Sequence, residues 1–419
     1  MSLSWDCIVI GGGAAGLWAA GTAALRGRRV LVLEKNNKAG VKILMSGGTR
    51  CNITQSCSAR HISEAFGLRG RFLLSPLSRL SPEEVVSQFH AMGVATKVEE
   101  TGKIFPESNK AIDVRDALVN RLIDAGGSLR TGQAVTNVCR SQADSEFVVS
   151  LSSDNLLAQS VLITTGGLSF SGCGTTGDGY AWLRAMGHSI TALRPALTPL
   201  LSPAAWVHDL SGITIDDASV TAIPEGQLSK GKESQWLTSR GGFLWTHFGC
   251  SGPTAMNVSK YLVDLPDYKH SSLAIDLLPL LSEIECLAWL DAATLGLHAQ
   301  KQIGNVLAER LPKRLIASLL INANVASETR MAELSKRHRA SIVERLKGWR
   351  IPVCGTRGYP KAEVTSGGVA LTEVDSKTME SRLVKGLFLA GEILDLDGPI
   401  GGYNFQAAWS TGHTAGENM

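Results

Sequence analysis

Trp5–Ile10 is an almost unbroken apolar run and predicts a short buried strand, and Ala14 to Arg26 is rich in Ala and Leu with Gly27 as its stop, which predicts a helix. Arg29–Leu33 returns to strand character and ends in Glu34. Further along, Ser81-Pro82-Glu83-Glu84 carries a Ser-x-x-Glu capping box with Pro at the first helical position, and Gly93 closes that helix. Ser128 to Leu162 alternates apolar and polar residues as a β-meander does, and Val161–Thr165 runs from strand into Gly166-Gly167. A short helix is expected over Tyr180–Met186 and a strand near Ser189–Leu193. After Pro195 a strand-rich stretch to about Ile275 gives way to helical segments, Gln302–Leu320 and Thr329–Trp349. The earlier style resumes at Glu363–Gly368 and closes with a strand at Gly386–Ala390 and a small-residue helix from Tyr403 to Gly416.

The first strand-turn-helix encloses Gly11, Gly13 and Gly16 at Gly-x-Gly-x-x-Gly spacing. In that motif the first glycine permits a tight turn, the second lets backbone approach a pyrophosphate, and the third allows close packing of helix on strand. Free N–H groups at the helix start, those of Ala14 and Ala15 among them, favour the phosphates. Glu34, 18 residues past Gly16, stands where an acid accepts hydrogen bonds from ribose hydroxyls, and it disfavours a 2′-phosphate. FAD, NAD and NADP all use such a cradle, and the motif alone leaves the choice open. Gly172, Gly174 and Gly177 repeat the spacing, but the helix after them is short and no acid ends the next strand, so a second full cradle is rejected.

Composition narrows the class. The chain has 419 residues, 44% hydrophobic and 19% charged, with 44 glycines, which suits two or three α/β domains with many tight turns. Its 41 basic and 38 acidic residues leave a net charge of +3, so no general field draws it to nucleic acid or anionic lipid. The expected partner is a small-molecule substrate, with no nucleic acid and no membrane. No secretory signal pattern precedes the first strand, no apolar run approaches a spanning length, and eight scattered cysteines include no Cys-x-x-Cys pair. A cytoplasmic protein without a structural metal is expected.

The segments IGGGAAGL, SGGTRCNIT, GKIFPESNKAIDV, TTGDGY, WTHFGCSGP, VTSGGV and GLFLAGEILDLDGPIGGYNFQ occur in this order over nearly the whole chain. In them the sequence resembles the bacterial two-dinucleotide-binding-type flavoproteins that include aminoacetone oxidase-like and BaiN-like bile-acid-reductase proteins. The resemblance implies an α/β fold: a discontinuous Rossmann-like FAD-binding domain, residues 1–190 and 355–419, with an inserted cap at 191–354 built from a β-barrel (about 191–280) and a helical part (about 281–354). It implies noncovalent FAD, with the adenosine half on Gly11, Gly13, Ala14, Ala15, Gly16, Glu34 and Lys35. The backbone of Val135 is expected to meet adenine, and Thr165-Gly166 to turn over the nucleotide. The flavin half is expected near Gly47, Gly48, Arg50, Cys51 and Asn52, and near Gly391, Glu392, Gly401, Gly402, Tyr403, Asn404 and Gln406.

The implied activity is hydride transfer between flavin N5 and a small organic substrate, with NAD(P)H as a transient donor or dioxygen as the alternative electron partner. A flavin-binding redox sensor without turnover and an RNA-modifying flavoenzyme are the alternatives. His247, in the motif the resemblance assigns to the cap, is the candidate acid or base because imidazole titrates near neutrality, against a satisfied histidine at a turn. Arg50 is a candidate for flavin support or for a substrate carboxylate, against an ion pair that fixes a glycine loop. Five residues separate Cys51 from Cys57, outside the Cys-x4-Cys spacing of disulfide reductases, and Cys51 is taken as a flavin neighbour only. The run Lys336-Arg337-His338-Arg339 suggests RNA, but Glu333 and Glu344 share its segment and no aromatic platform interleaves it, so a solvated helix face is expected.

Overall fold

The computed structural model describes residues 4–141, 146–224, 238–265 and 267–419. The chain divides into two compact units, Met1–Pro195 with Glu363–Met419, and Ala196–Ala362.

In the first unit β1 (Trp5–Ile10) leads through a turn into α1 (Ala14–Leu25) and then β2 (Val30–Leu33). β1 is parallel to β2 on one side and to the strand Asn155–Ile163 on the other, with Val9 opposite Val32 and Leu162. Ser128–Arg130 extends the parallel part beyond β2, and Leu387–Leu389 pairs with the last residues of Asn155–Ile163. The first residues of that long strand instead pair antiparallel with Phe147–Leu151, which pairs with Val135–Arg140. β2 and all of β1 beyond Asp6 are buried, as a sheet covered on both faces requires. Because these strands run in one direction, Gly11, Glu34, Thr164 and Gly391 all fall at or just past their carboxyl ends, the edge where open α/β sheets bind ligands.

α1 packs on the last helix, Tyr403–Asn418. A Cβ on Gly412 would stand 2.5 Å from the Ala15 carbonyl oxygen, and one on Gly416 would stand 2.4 Å from that of Ala19, so the small residues of this helix are what lets two backbones meet. Trp18 sits between Phe89 (5.5 Å) and Trp409 (5.4 Å) at the centre of this core. The helix Pro82–Ala91 has its capping box formed, with Ser81 and Glu84 exchanging hydrogen bonds. The residues expected as a strand near 189–193 make a single bridge from Ile190 to Val369 rather than a strand.

The second unit has its own core and a seven-stranded antiparallel sheet, the form taken by the stretch expected as a barrel. Its pairings run in the order Trp349–Pro352, Ser272–Asp276, Thr214–Ile223, Thr238–Thr246, Gly249–Ser251, Leu200–Leu201, Gly355–Thr356. Residues 225–237 of that stretch lie outside the described ones. The segment expected as one helix over 302–320 is two, Ile303–Leu307 and Lys313–Asn322. Pro312, extended at φ −62° and ψ 137°, disfavours helix at the residue before it and separates them. Of 329–349 only Lys336–Gly348 is α-helical, started by Ser335, whose side chain accepts from the His338 N–H.

Candidate functional site

The cradle is built from two glycines that are locked and one that is open. A Cβ on Gly11 would lie 2.5 Å from the Thr164 carbonyl oxygen, and on Gly16 it would lie 2.0 Å from the Gly11 oxygen. A Cβ on Gly13 would meet nothing within 4 Å, and Gly13 is in ordinary extended conformation at φ −86°. The first two glycines thus serve the fold, and the third leaves room for something that is not protein. No side chain caps α1, so the N–H groups of its first turn, Ala14 to Gly16, face that space at the positive end of the helix dipole.

Glu34 is buried at the end of β2 and accepts from the Gly12 N–H at 2.9 Å and from the Asn36 backbone and side chain at 2.8 Å each. It ties the glycine turn to β2 while keeping lone pairs for hydroxyls. Lys35 extends to Thr176 (2.5 Å) and Asp178 (2.6 Å). Asn36 donates to the Cys173 carbonyl at 3.0 Å. The second glycine run therefore closes onto residues 35 and 36 of the first cradle. Thr165 and Gly166 follow the neighbouring strand, with Thr165 Oγ1 buried and without a hydrogen-bond partner among the described residues. Val135 opens its strand opposite Leu151.

The loop expected at the flavin is conformationally costly. Thr49 and Cys51 hold left-handed backbone, φ 70° and 61°, between Gly47-Gly48 and Asn52. Arg50 pairs with Glu99 at 2.6 Å and lies 4.0 Å over the Phe105 ring, an arrangement that anchors the loop. Cys51 is fully buried, and burial pushes its thiol up to about 12. With the Asn52 carboxamide turned so that every group finds its partner, Nδ2 donates to Thr54 O (2.9 Å) and Ile104 O (3.2 Å), and Oδ1 accepts from the Gly402 N–H (2.9 Å). Two of the groups expected near the flavin have protein partners. The Gly402 N–H is spent on Asn52 rather than offered to a ligand, and the Gln406 side chain is spent on Thr54, Leu80 and Ser410. Asn404 likewise exchanges two hydrogen bonds with Gly398. The start of the last helix is a scaffold for its loop, and Gly401, Gly402 and Tyr403 contribute backbone and packing.

Sequence reasoning missed a polar cluster at the same sheet edge. Glu392, just past Gly391, pairs with Lys42 at 2.5 Å, and its other oxygen accepts from Ser169 and from the Thr365 N–H (2.9 Å). Lys42 also donates to Ser169 at 2.7 Å. Glu363 lies in the field of Lys42 and Glu392, and burial raises its carboxyl above the ordinary value. Only Glu392 stood in a pattern legible beforehand; Lys42 lies in a five-residue helix, Val41–Met45, and Glu363 precedes the short strand Val364–Ser366 with no motif spacing of its own. His247 lies in the second unit, on the turn between Thr238–Thr246 and Gly249–Ser251, with its ring 5.0 Å from that of Phe248. It is not among the residues gathered in the first unit.

The model of the HI0933-like protein Rossmann domain matches residues 5–418. The chain belongs to the HI0933-like family. It is, with that family, an FAD-dependent oxidoreductase. The chain is 30% identical to the ribosomal RNA dihydrouridine synthase of Escherichia coli over 99% of its length and 98% of the relative's. It is 31% identical to the 3-dehydro-bile acid delta(4,6)-reductase of Clostridium scindens over 97% of each. Among solved structures, 3-ketosteroid delta1-dehydrogenase from Sterolibacterium denitrificans shares the fold at TM-score 0.53 and 14% identity, covering 99% of both chains. The HI0933-like chain's own residues fit FAD. The open Gly13 position and uncapped α1 suit a pyrophosphate, Glu34 suits a ribose, and no metal-binding group of His, Cys, Asp and Glu occurs among the described residues. No helix among them is long and apolar enough to cross a membrane.

Proposed function

We propose that the protein reduces a carbon–carbon double bond conjugated to a carbonyl in a small organic substrate, working in the cytoplasm with FAD held noncovalently. FAD, when bound, supplies two-electron hydride chemistry, and NADH or NADPH docks transiently to recharge it. The observation that carries the reading is the cradle: the empty space over Gly13 at an uncapped helix end, facing the same sheet edge as the Lys42–Glu392 pair. The reaction class is supported by what two relatives' names have in common. Making dihydrouridine saturates a uracil C=C bond beside a carbonyl, and a delta(4,6)-reductase acts on unsaturation in a 3-dehydro steroid frame. Both need a hydride at one carbon and a proton at the next.

The chain's own part is to hold the cofactor, orient the acceptor and manage that proton. The relative named for ribosomal RNA favours a second reading, a uridine in RNA as acceptor. Against it, the basic run on Lys336–Gly348 is partly committed inside the second unit: Arg339 pairs with Asp291 at 2.6 Å and Lys347 with Asp276 at 2.6 Å. The test is to incubate the FAD-loaded protein and NAD(P)H with 2-cyclohexenone, a 3-oxo-4-ene steroid and uridine-containing ribosomal RNA. A saturated ketone supports the reading, and dihydrouridine alone supports the RNA alternative. Consumption of NAD(P)H with no acceptor reduced contradicts both.

A further inference from the structure

Within the first unit, residues 170–177 cross the end of the sheet at which the cradle lies. The chain leaves the strand Asn155–Ile163 at Thr164, whose Oγ1 reaches the carbonyls of Ile10 (3.0 Å) and Gly11 (2.9 Å). β1 lies between that strand and β2. A segment that starts past the end of the one and fastens past the end of the other therefore spans the glycine turn at the end of β1. The far fastening is on the two residues after Glu34. Asn36 Nδ2 donates to the Cys173 carbonyl (3.0 Å), and Lys35 Nζ donates to Thr176 Oγ1 (2.5 Å) and Asp178 Oδ2 (2.6 Å). Thr176 Oγ1 donates in turn to Asp178 Oδ1 at 2.8 Å. A Cβ on Gly174 would stand 2.6 Å from Asn36 Nδ2, so backbone rests directly on that side chain, which also donates to Glu34. The two ends of the segment are fixed: the N–H groups of Leu168 and Ser169 donate to Thr365 Oγ1 at 2.8 and 3.0 Å, and Asp178 opens the helix Asp178–Ala185. The eight residues between them include Gly174 and Gly177 in left-handed backbone, φ 90° and 76°. Besides Lys35 and Asn36, what holds this span to the cradle is a weak thiol contact from Cys173 to Met45 (3.1 Å). The Lys35 and Asp178 side chains are 30% and 40% exposed, so water can take the place of either partner when they separate.

We propose that residues 170–177 are a strap that must lift for FAD to enter or leave the cradle, and that the Lys35–Asp178 pair is its latch. This rests on the reading of the cradle as the FAD site. The latch joins protein to protein, so it stands in the way of the cofactor from either side. Breaking it makes opening easier both for the empty and for the loaded protein. Capture and release then quicken together, and the equilibrium affinity moves little, because the two end states are altered alike. A side chain that gripped FAD itself would act otherwise: its loss would speed release and weaken affinity in proportion while capture stayed the same. The same account gives the second glycine run its use. Gly174 is where backbone must lie against Asn36, and Gly177 supplies the left-handed turn into the helix that carries Asp178. The run serves to close the first cradle rather than to build a second.

The test uses the purified holoenzyme and the apoprotein prepared from it, with FAD capture and release both followed by flavin fluorescence anisotropy. In Lys35→Met and in Asp178→Asn both rates should rise roughly three- to tenfold, with Kd within about twofold of the parent's. Lys35→Asp combined with Asp178→Lys should bring both rates back toward the parental values. Amide hydrogen exchange in the apoprotein gives an independent reading: residues 170–177 should exchange faster in each single variant, while β1 and α1 keep their protection. Parental rates of capture and release in both single variants overturn the proposal. So does faster release with unchanged capture, which would make Lys35 a direct contact of FAD. Gly13→Val separates this from the reading beneath it. A Gly13→Val apoprotein that captures FAD with parental affinity removes the cradle and the strap with it, whereas loss of capture there together with parental rates in the latch variants overturns the strap alone.

Discussion

Gly13 separates fold from function at a single residue. Gly11 and Gly16 abut backbone oxygens, so a side chain at either must shift the sheet or α1. Gly13 faces open space in a conformation that any residue adopts. Gly13→Val should therefore fold, with the circular dichroism and melting curve of the parent, yet purify colourless because the methyls take the pyrophosphate's place. A yellow Gly13→Val protein of normal flavin content would contradict the cradle. Cys51 is equally decisive for the chemistry. With its thiol pushed up to about 12 by complete burial, it should resist a thiol-specific reagent at pH 8 in the native protein, and Cys51→Ser should still be reduced and reoxidised. Loss of electron transfer in flavin-loaded Cys51→Ser would restore a thiol relay. The glycine spacing and Glu34 were legible in the sequence because a strand, a turn and a helix fix their geometry locally. Lys42 and Ser169 were not, because what unites them is the meeting of segments 127 residues apart in sequence.

At the scale of elements, the last helix holds its position through its first residue. Gly402 has φ 91°, and a Cβ there would lie 2.6 Å from the Thr54 carbonyl carbon. Gly402→Ala should destabilise the protein by roughly 1–3 kcal/mol in denaturant titration, and Gly402→Pro should fail to fold, since proline cannot reach that angle. An alanine variant of parental stability would show that the contact relaxes freely. The sequence places Gly401 and Gly402 near the flavin but does not show what their N–H groups bond; Asn52, 350 residues earlier, takes the Gly402 N–H. A second junction joins the end of the helix Asp178–Ala185 to the loop before Leu387–Leu389. His188 bonds Glu373 at 3.0 Å through one ring nitrogen and Ser381 Oγ at 2.9 Å through the other. Although it has the order of a hydrolytic triad, Ser381 Oγ already accepts from the N–H groups of Leu383 and Val384, and the serine and histidine are buried, so this is a clasp. Burial raises the Glu373 carboxyl, but hydrogen bonds from Ser189 and His188 outweigh it and hold the group below its ordinary value. A carboxyl lowered on folding adds stability above its unfolded value and loses it as pH falls through its folded one. Glu373→Gln should therefore narrow the loss of stability between about pH 5 and the acid limit, and a variant whose acid unfolding matches the parent's would remove the clasp from the account.

For the whole molecule, the sequence shows a change of pattern after Pro195, where the first unit breaks off, but not the order of strands in either sheet, and the inserted unit's sheet is an antiparallel seven-stranded one. What the pattern of apolar residues does not encode is which polar groups are consumed internally. Arg50, Asn52, Asn404 and Gln406 all look like ligand contacts when read singly, and the structure gives each a protein partner. The account of the molecule as a flavin-dependent reductase turns on one event, the passage of two electrons from FAD to a conjugated double bond. The measurement is an anaerobic single turnover: photoreduced, FAD-loaded protein mixed with 2-cyclohexenone while flavin absorbance and product mass are followed together. The account predicts that the oxidised flavin band returns without oxygen and that one cyclohexanone forms per flavin. A flavin that stays reduced with the enone and with a 3-oxo-4-ene steroid, and recovers its colour only when air is admitted, would contradict it.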